Sequence, residues 1–460
     1  MIRIDPALTP KDLQPRLERL FELSAVKVRL LEREWNPRRG APVTTVRGKY
    51  VPREWTDWTR GFQYGSLLLQ FDATGDLWCL ERARRRIAQY MTAYARNTEV
   101  HDHGFNIVST FGGLVRLAQE GRLEGRDDEL ASWARTLKTS GTVQASRWTP
   151  TVDGQGYIYS FNGRHSLFAD TLRSLRSLAL AHALRGSVGK RSQRQLGLLR
   201  RLIQHASVTA KYSVYYGEGR DIYDVWGRVA HESLFDPTDG GYRCPSTQQG
   251  FSPFSTWTRG LAWVLLGFAE ELEFLATLPE EELEPFGGRL KVEATMLRAA
   301  QATADFYLDE TPADGIPYWD TGAPGLLNMG DYLSRPADPF NDYEPVDSSA
   351  AAIAAQGLWR LGTYPSRSEA GKASRRYRQA ALTVAQHLLD EPYLSTDPHH
   401  QGLILHSVYH RPRGWDFVPP GHKIPCGESS MWGDYHTREL ALLLLRQARG
   451  EPYLTFFHSS

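Results

Sequence analysis

The chain has 460 residues, 41% of them hydrophobic and 23% charged, so it is long enough for a sizeable core and ordinary in composition for a globular protein. Its 54 basic and 53 acidic residues give a formal net charge of +1, which argues against a surface that wraps nucleic acid. No stretch has the length and apolar character of a membrane span, so a membrane is not an expected partner either.

Cysteine usage bears on the compartment. Cys79, Cys244 and Cys426 are far apart, and no CxxC pair exists. This pattern predicts neither a zinc ribbon nor a disulfide framework and favours a reducing environment. The opening stretch, MIRIDPALTPKD, lacks the apolar run of a secretory signal. We therefore expect a cytoplasmic protein.

Apolar periodicity and helix-start signals predict about twelve helices. They lie near 10–36, 61–73, 76–97, 107–121, 126–139, 170–185, 194–214, 259–275, 289–309, 348–361, 367–389 and 434–448. Strand signals are sparse, and the aromatic alternation from Tyr157 to Phe161 fits a short hairpin or a loop. The chain is predicted to be all-α.

A cluster rich in Gly, Asp or Trp precedes or opens every second helix of this series. The six clusters lie at 58–62, 101–105, 168–171, 256–260, 345–349 and 431–435. This alternation predicts a double ring, in which inner helices point their N-termini at one shared face and outer helices return around the outside. Small side chains at 178–183 and 348–357 suit crowded inner positions. No linker divides the chain, so 1–460 is predicted to be one domain.

The acidic candidates stand at the starts of inner helices. Asp102 lies in HDHGF ahead of the fourth helix, and Asp170 begins the sixth. An aspartate at a helix start is often an N-cap worth about 1 kcal/mol, which is the favoured interpretation for Asp347 and Asp434. Asp102 has histidine neighbours and Asp170 follows a loop rich in Gly and Tyr, 154–164, so a pocket is favoured for both. Two carboxylates across one pocket suit glycosidic chemistry. The 13 Trp, 21 Tyr and 18 Phe residues supply rings on which sugars can stack.

Further polar candidates lie before the eighth helix. Arg259 opens that helix, and His231 and Gln249 precede it. An arginine here can clamp a substrate carboxylate with two hydrogen bonds, or it can form a salt bridge with a neighbouring aspartate. The histidines of HDHGF lack metal-ligand spacing, and no phosphate loop or dinucleotide fingerprint is present. We therefore expect neither a metal nor a cofactor.

Six motifs occur in a recognisable order along the chain. They are HDHGF (101–105), SLFADTLRSLRSLALAH (166–182), QGFSPFSTWTRGLAW (249–263), DGIPYWD (314–320), PVDSSAAAIAAQGL (345–358) and SSMWGDYHTREL (429–440). Together they resemble glycoside hydrolase family 88, the unsaturated glucuronyl hydrolases, and more loosely the unsaturated rhamnogalacturonyl hydrolases. The resemblance implies an (α/α)6 barrel, in agreement with the helix series.

The resemblance also implies a substrate and a mechanism. The substrate is an oligosaccharide with a terminal uronic acid, the 4,5-unsaturated residue that polysaccharide lyases leave at the non-reducing end. In this family an aspartic acid protonates C4 of the enol ether and water adds at C5. The resulting hemiketal collapses, opens the ring and releases the remaining sugar.

Site roles follow from the matching positions. Asp170 is similar to the acid/base residue and Asp102 to the second aspartate. The resemblance implies substrate-binding roles for His231, Gln249, Trp257, Arg259, Trp263 and Trp319. To act as an acid at neutral pH, Asp170 needs a raised pKa, which burial and the Asp102 charge would favour.

Two departures and three other functions bear on specificity. Relatives usually carry a tryptophan at or near Gln63, and the loop between Asp102 and Asp170 is longer than usual.

A hydrolase of saturated glucuronides could use the same aspartates, but only hydration of the enol ether consumes an ultraviolet chromophore. A sugar epimerase would need paired histidines that the inner helix starts lack. A non-catalytic glycan-binding barrel could dispense with one aspartate. The sequence leaves open the linkage and sulfation of the adjoining sugar, the parent polysaccharide and the oligomeric state.

Overall fold

The computed structural model describes residues 1–53, 57–184, 193–365 and 371–457. Within these ranges twelve helices build the frame. They are α1 (Pro10–Glu34), α2 (Arg60–Thr74), α3 (Leu77–Tyr90), α4 (Gly104–Gly112, π-helical, continuing as Gly113–Gln119), α5 (Asp127–Ser146), α6 (Thr171–Ser174, then Arg176–Ala183), α7 (Gln193–Tyr212), α8 (Thr258–Ala276), α9 (Arg289–Asp309), α10 (Ser348–Thr363), α11 (Gly371–Leu388) and α12 (Met431–Arg449).

The even-numbered helices close into a ring. Each of them packs on the next in the order α2, α4, α6, α8, α10 and α12, and α12 returns to pack on α2. The odd-numbered helices pack outside this ring, each against one or more inner helices. The predicted double ring, an (α/α)6 barrel, is therefore confirmed. No helix in the described ranges combines the length and apolar character needed to cross a membrane.

Small residues let the inner helices approach closely. Residues 350–355 of α10 are completely buried, and five of these six are alanine. At Gly61, where α2 meets α4, an added Cβ would lie 2.5 Å from Cα of Asn106. A side chain there would force the helices apart, since closely packed interiors leave little room for displacement.

A cluster of buried charges spans the inside of the barrel. Arg173 of α6 lies 2.5 Å from Glu270 of α8 and 3.1 Å from Glu439 of α12. Arg176 joins the same two carboxylates at 3.6 and 3.9 Å. We call these four residues the central ion cluster. Since α6 and α12 stand opposite each other in the ring, the cluster ties the two sides of the barrel together.

Seven short strands lie in the connections between helices. They are β1 (Thr44–Val46), β2 (Lys49–Val51), β3 (Trp148–Pro150), β4 (Gly156–Ile158), β5 (Ser166–Phe168), β6 (Glu232–Phe235) and β7 (Tyr242–Ser246). The strands β3 and β4 form a hairpin where the aromatic alternation begins. The strand β6 pairs with both β5 and β7, which brings the segment after α7 against the start of α6.

Candidate functional site

An open cavity lies at the N-terminal ends of inner helices, with about 760 Å³ of empty space including the solvent at its mouth. Its wall includes Asp102 and Asp170, which directly precede α4 and α6, and Arg259 in the first turn of α8. Trp58, ahead of α2, also lines it. The structure therefore brings together side chains that are up to 355 positions apart in the chain, from Trp58 to Arg413.

His101 stands between the two aspartates. Its Nε2 lies 3.6 Å from Oδ1 of Asp102 and 3.5 Å from Oδ1 of Asp170. The imidazole is 3% exposed, whereas the two carboxylate side chains are 14% and 12% exposed. One buried imidazole therefore connects two carboxylates that both reach the cavity.

Backbone packing fixes this arrangement. The Oγ of Ser174 in α6 donates to the carbonyl of His101 and accepts from the N–H of Gly104 at the start of α4. A Cβ at Gly104 would lie 2.3 Å from the carbonyl oxygen of Ser174, so only glycine permits the contact. The segment that carries Asp102 is thereby held against the helix that follows Asp170.

The N-cap interpretation applies differently to Asp170, Asp347 and Asp434. The Asp170 side chain makes no capping hydrogen bond, although the residue occupies the N-cap position. Asp347 does cap α10, because its Oδ1 accepts from the N–H of Ser349 at 3.1 Å. Asp434 instead accepts the N–H groups of Leu403 and Ile404 inside the protein.

Electrostatics distinguish Asp102 from Asp170. Burial and the charge of Asp170 raise the pKa of Asp102 against the opposing effect of His101. Burial also acts to raise the pKa of Asp170, but His101, His231 and Arg259 outweigh it and hold that pKa below its ordinary value. The raised pKa that an acid needs is therefore absent at Asp170 in this arrangement. The main reasons are His101 beside the carboxylate and the fixed positive charge of Arg259.

His231 is held in one tautomer beside Asp170. Its carbonyl accepts from the N–H of Ala169 where β5 and β6 meet. Its Nδ1 accepts the backbone N–H groups of Gln248 and Gln249 at 3.0 and 3.3 Å. The ring proton must then be on Nε2, and burial lowers the pKa of His231 to about 4. His231 is thus a neutral imidazole that is packed between Phe168 and Trp257.

Arg259 forms a salt bridge with Asp347, which is one of the two roles that its position in the sequence allows. One terminal nitrogen donates to Asp347 and to the carbonyl of Val408, and the other to Gln249 Oε1 and the carbonyl of Tyr409. These contacts occupy all four terminal N–H groups. Arg259 lines the cavity as a fixed positive charge, with its contacts to a substrate remaining a prediction.

Two of the three predicted tryptophans line the cavity, and the third lies behind it. Trp257 and Trp263 line the cavity, but Trp319 is not among its lining residues. The Trp319 indole donates to Glu344 at 2.7 Å, and its carbonyl accepts from Thr258 in the first turn of α8. Trp319 therefore supports the start of α8 from behind. Gln63 also lies off the cavity, where its side chain donates to Glu32 of α1.

Several wall residues carried no clear sequence signal. Tyr409, His410 and Arg413 line the cavity from the segment before α12. Phe161, which is 42% exposed, belongs to the longer loop between the aspartates and stacks beside His101. A signal for Phe161 existed in that loop's aromatic pattern, whereas 409–413 lies outside every motif and every predicted helix. In the described part of the chain, no group of three or more His, Cys, Asp or Glu side chains is arranged to hold a metal ion.

The sequence is similar to those of known hydrolases. No family model matches the chain. It is 28% identical over 409 residues to the unsaturated glucuronyl hydrolase of Bacillus sp. (strain GL1), covering 88% of this chain and 90% of that protein. It is 23% identical to the unsaturated chondroitin disaccharide hydrolase of Streptococcus pyogenes serotype M1, covering 86% and 84%.

Solved structures agree on the fold. The unsaturated glucuronyl hydrolase of Bacillus sp. GL1 superposes with a TM-score of 0.71 at 24% identity, covering 96% of this chain and 99% of that one. The enzyme of the same name from Streptococcus agalactiae superposes with a TM-score of 0.70 at 18% identity, covering 99% of both chains.

Proposed function

We propose that this chain, a homologue of the unsaturated glucuronyl hydrolases, is a glycoside hydrolase that removes a 4,5-unsaturated uronic acid from the non-reducing end of lyase-generated oligosaccharides. The observation that carries the proposal is the pair of partly exposed aspartates joined by one imidazole in an aromatic-walled cavity. Relatives named for this activity match it over most of their length.

In the proposed reaction Asp170 gives a proton to C4 of the enol ether. The positive charge then spreads over C5 and the ring oxygen, and the ionised side chain of Asp102 stabilises it. Water adds at C5 and returns a proton to Asp170, so the enzyme regains its starting state. The hemiketal opens and releases the remaining sugar. Hydration is redox-neutral, so the proposed reaction needs no redox cofactor.

Binding is proposed to use the rest of the wall. Trp257 and Trp263 offer ring faces to the sugar, and Gln249 offers hydrogen bonds. His231 is buried and is not among the lining residues, so its proposed part in binding is to hold the segment of Gln248 and Gln249 in place. Arg259 provides a positive potential for the uronate without leaving Asp347. The adjoining sugar is proposed to meet Phe161 and Arg413. Trp319 is proposed to act only through α8.

We further propose that residues 1–460 act as one catalytic domain in the cytoplasm. The ring of helices, which starts with α2 and is closed by α12, supports the first part. The second part rests on Cys79, Cys244 and Cys426, which are all free thiols. Other partners, such as nucleic acid or a membrane, have no place in the proposal.

The test is loss of ultraviolet absorbance on incubation with a panel of lyase-generated disaccharides. We expect wild type to consume at least one member and Asp170→Asn to lose about 10²–10⁴-fold in kcat, the usual contribution of general acid–base catalysis. The control is Asp128→Asn, a surface carboxylate of α5 that is 73% exposed, which should match wild type. Release of sugar from a saturated glucuronide, with no loss of absorbance on any member, would contradict hydration.

A further inference from the structure

His101 has a fixed position and an unused ring nitrogen. Its carbonyl accepts from Ser174 Oγ at 2.8 Å and from Gln144 Nε2 at 2.9 Å, which anchors the residue from behind. Phe161 and Phe168 form the apolar walls of its ring. Nδ1 is buried and has no hydrogen-bond partner among the described residues. The only polar groups that Nε2 meets at ion-pair distance in that part of the chain are Asp102 and Asp170.

The charges around His101 favour a proton on it. Asp102 and Asp170 face it directly, and Arg147, which is held by the carbonyls of Tyr159 and Ser160, lies further off. Other titratable groups that sense its charge are the histidines His103, His205 and His231. Burial acts to lower the pKa of His101, but the two carboxylates outweigh burial and Arg147 and raise it above its ordinary value.

We propose that His101 stores the proton that Asp170 donates to the substrate. The proposal rests on the proposed function and deepens it. In the free enzyme the proton is on Nε2 of His101 and Asp170 is ionised. When the uronate enters, the proton moves from Nε2 to the carboxylate of Asp170, and rotation of that carboxyl group, whose Oδ1 is buried, lets Asp170 deliver the proton to C4. Water adds at C5, its proton passes to Asp170, and from there it returns to Nε2. No proton is gained or lost.

This assignment explains how Asp170 can act as an acid although its pKa is lowered. An acid whose pKa lies below its ordinary value would be almost wholly ionised at neutral pH. A neighbouring imidazolium supplies the missing proton across 3.5 Å. His231 cannot replace it, because its Nδ1 is occupied by backbone N–H groups and burial lowers its pKa to about 4. His101 is also the only described histidine within ion-pair distance of either carboxylate.

The kinetic test compares His101→Gln with wild type over pH 5 to 8. In wild type the active form carries one proton on the His101–Asp170 pair, so kcat/KM falls as pH rises through the pKa of that pair. Glutamine keeps a donor but cannot store a proton, so only the carboxyl of Asp170 can hold it. We expect the alkaline limb to move down by about one pH unit or more, since carboxyls titrate near 4 and imidazoles near 6.5. With the limb moved from near 6.5 to near 4, the loss should be about tenfold at pH 5 and more than about a hundredfold at pH 8.

The matched control is His103→Gln. This neighbouring histidine is also buried, but its nitrogens meet Ser140 Oγ and the carbonyl of Asn97, not a carboxylate. Its substitution should leave the limb where it is. If His101→Gln lowers kcat/KM by one factor at every pH, His101 only positions the aspartates and the proposal is wrong.

A second measurement needs no substrate, and its wild-type arm needs no variant. The ¹³Cε1 resonance of His101 in the free wild-type protein should titrate above pH 6.5, the ordinary imidazole value. In Asp170→Asn the midpoint should fall, because one negative neighbour is lost. A neutral His101 at pH 7 would overturn the proposal. If no disaccharide is consumed, the proposed function fails, but this titration still decides whether His101 holds the proton.

Discussion

Two of the clusters of buried charge in the barrel differ in balance and access. The central ion cluster contains two arginines and two glutamates, each with a side chain at most 1% exposed. The site cluster contains two carboxylates and one imidazole, and the carboxylates reach the cavity. Paired charges in an enclosed interior hold the structure in one arrangement. An unequal set beside a cavity leaves a proton free to move, which is what catalysis needs. Four substitutions, in the interior, in the site cluster and elsewhere around the cavity, probe this contrast.

The largest expected effect is on stability, from Glu270→Gln in the central ion cluster. The change leaves Arg173 and Arg176 with a single carboxylate in a site that water does not reach. We expect the free energy of unfolding to fall by about 3–5 kcal/mol, as when one partner of a buried pair is removed. Urea denaturation measures it. Asp170→Asn in the site cluster should change the same quantity by less than about 1 kcal/mol while removing activity.

The control for this comparison is Glu81→Gln on the exposed face of α3, which should stay within about 0.5 kcal/mol of wild type. If Glu270→Gln costs no more than this control, the central ion cluster does not stabilise the barrel.

An intermediate effect is expected from Asp347→Asn, which removes the ionic partner of Arg259. The amide can still cap α10, but the guanidinium loses its compensating charge and is held only by Val408, Tyr409 and Gln249. We expect KM to rise about tenfold, equivalent to about 1.4 kcal/mol, with a smaller change in kcat. Steady-state kinetics on the consumed disaccharide measure both constants. An unchanged KM would show that the position of Arg259 does not matter for binding.

The smallest effect is expected from Arg413→Gln at the mouth. Arg413 is exposed, has no ion pair within the described ranges and lies over the ring of Trp415. An exposed charge contributes about 0.2–1 kcal/mol, so KM should rise by about fivefold at most, and by less in high salt. Arg126→Gln, a surface arginine of the α5 start, is the control. A large fall in kcat would place Arg413 closer to the reaction than the geometry suggests.

Much of the frame could be predicted from the sequence because the signals were local. Helix periodicity and the repeated clusters gave the twelve helices and their alternation, and α12 was misplaced by only three residues at its start. The two aspartates were found because residues at the starts of inner helices must share one end of the barrel. Long-range partners have no such local signal. Three features depend on residues that are far apart in the chain. They are the β5–β6 pairing beside His231, the hydrogen bond between Arg259 and Asp347, and the position of Trp319 behind α8.

The π-helical start of α4 is a further example. One additional residue in a turn leaves apolar spacing almost unchanged over nine residues, so periodicity indicated only a helix from 107. The observed helix begins at Gly104, directly after the segment of Asp102. The lowered pKa of Asp170 was likewise out of reach, since it depends on the positions of His101, His231 and Arg259.

Closure of the ring by α12 has a consequence for synthesis on the ribosome. His101, Asp102 and Asp170 are synthesised early. However, Trp58 stacks on Trp432, with ring centroids 5.0 Å apart, and the N–H of Met431 donates to the carbonyl of Val43. A nascent chain can therefore assemble neighbouring hairpins as they emerge, yet its pocket stays open on one side until the last helix arrives. Chains that stall before this helix would expose the apolar faces of α2 and α10 to aggregation, so chaperone demand should concentrate late in translation.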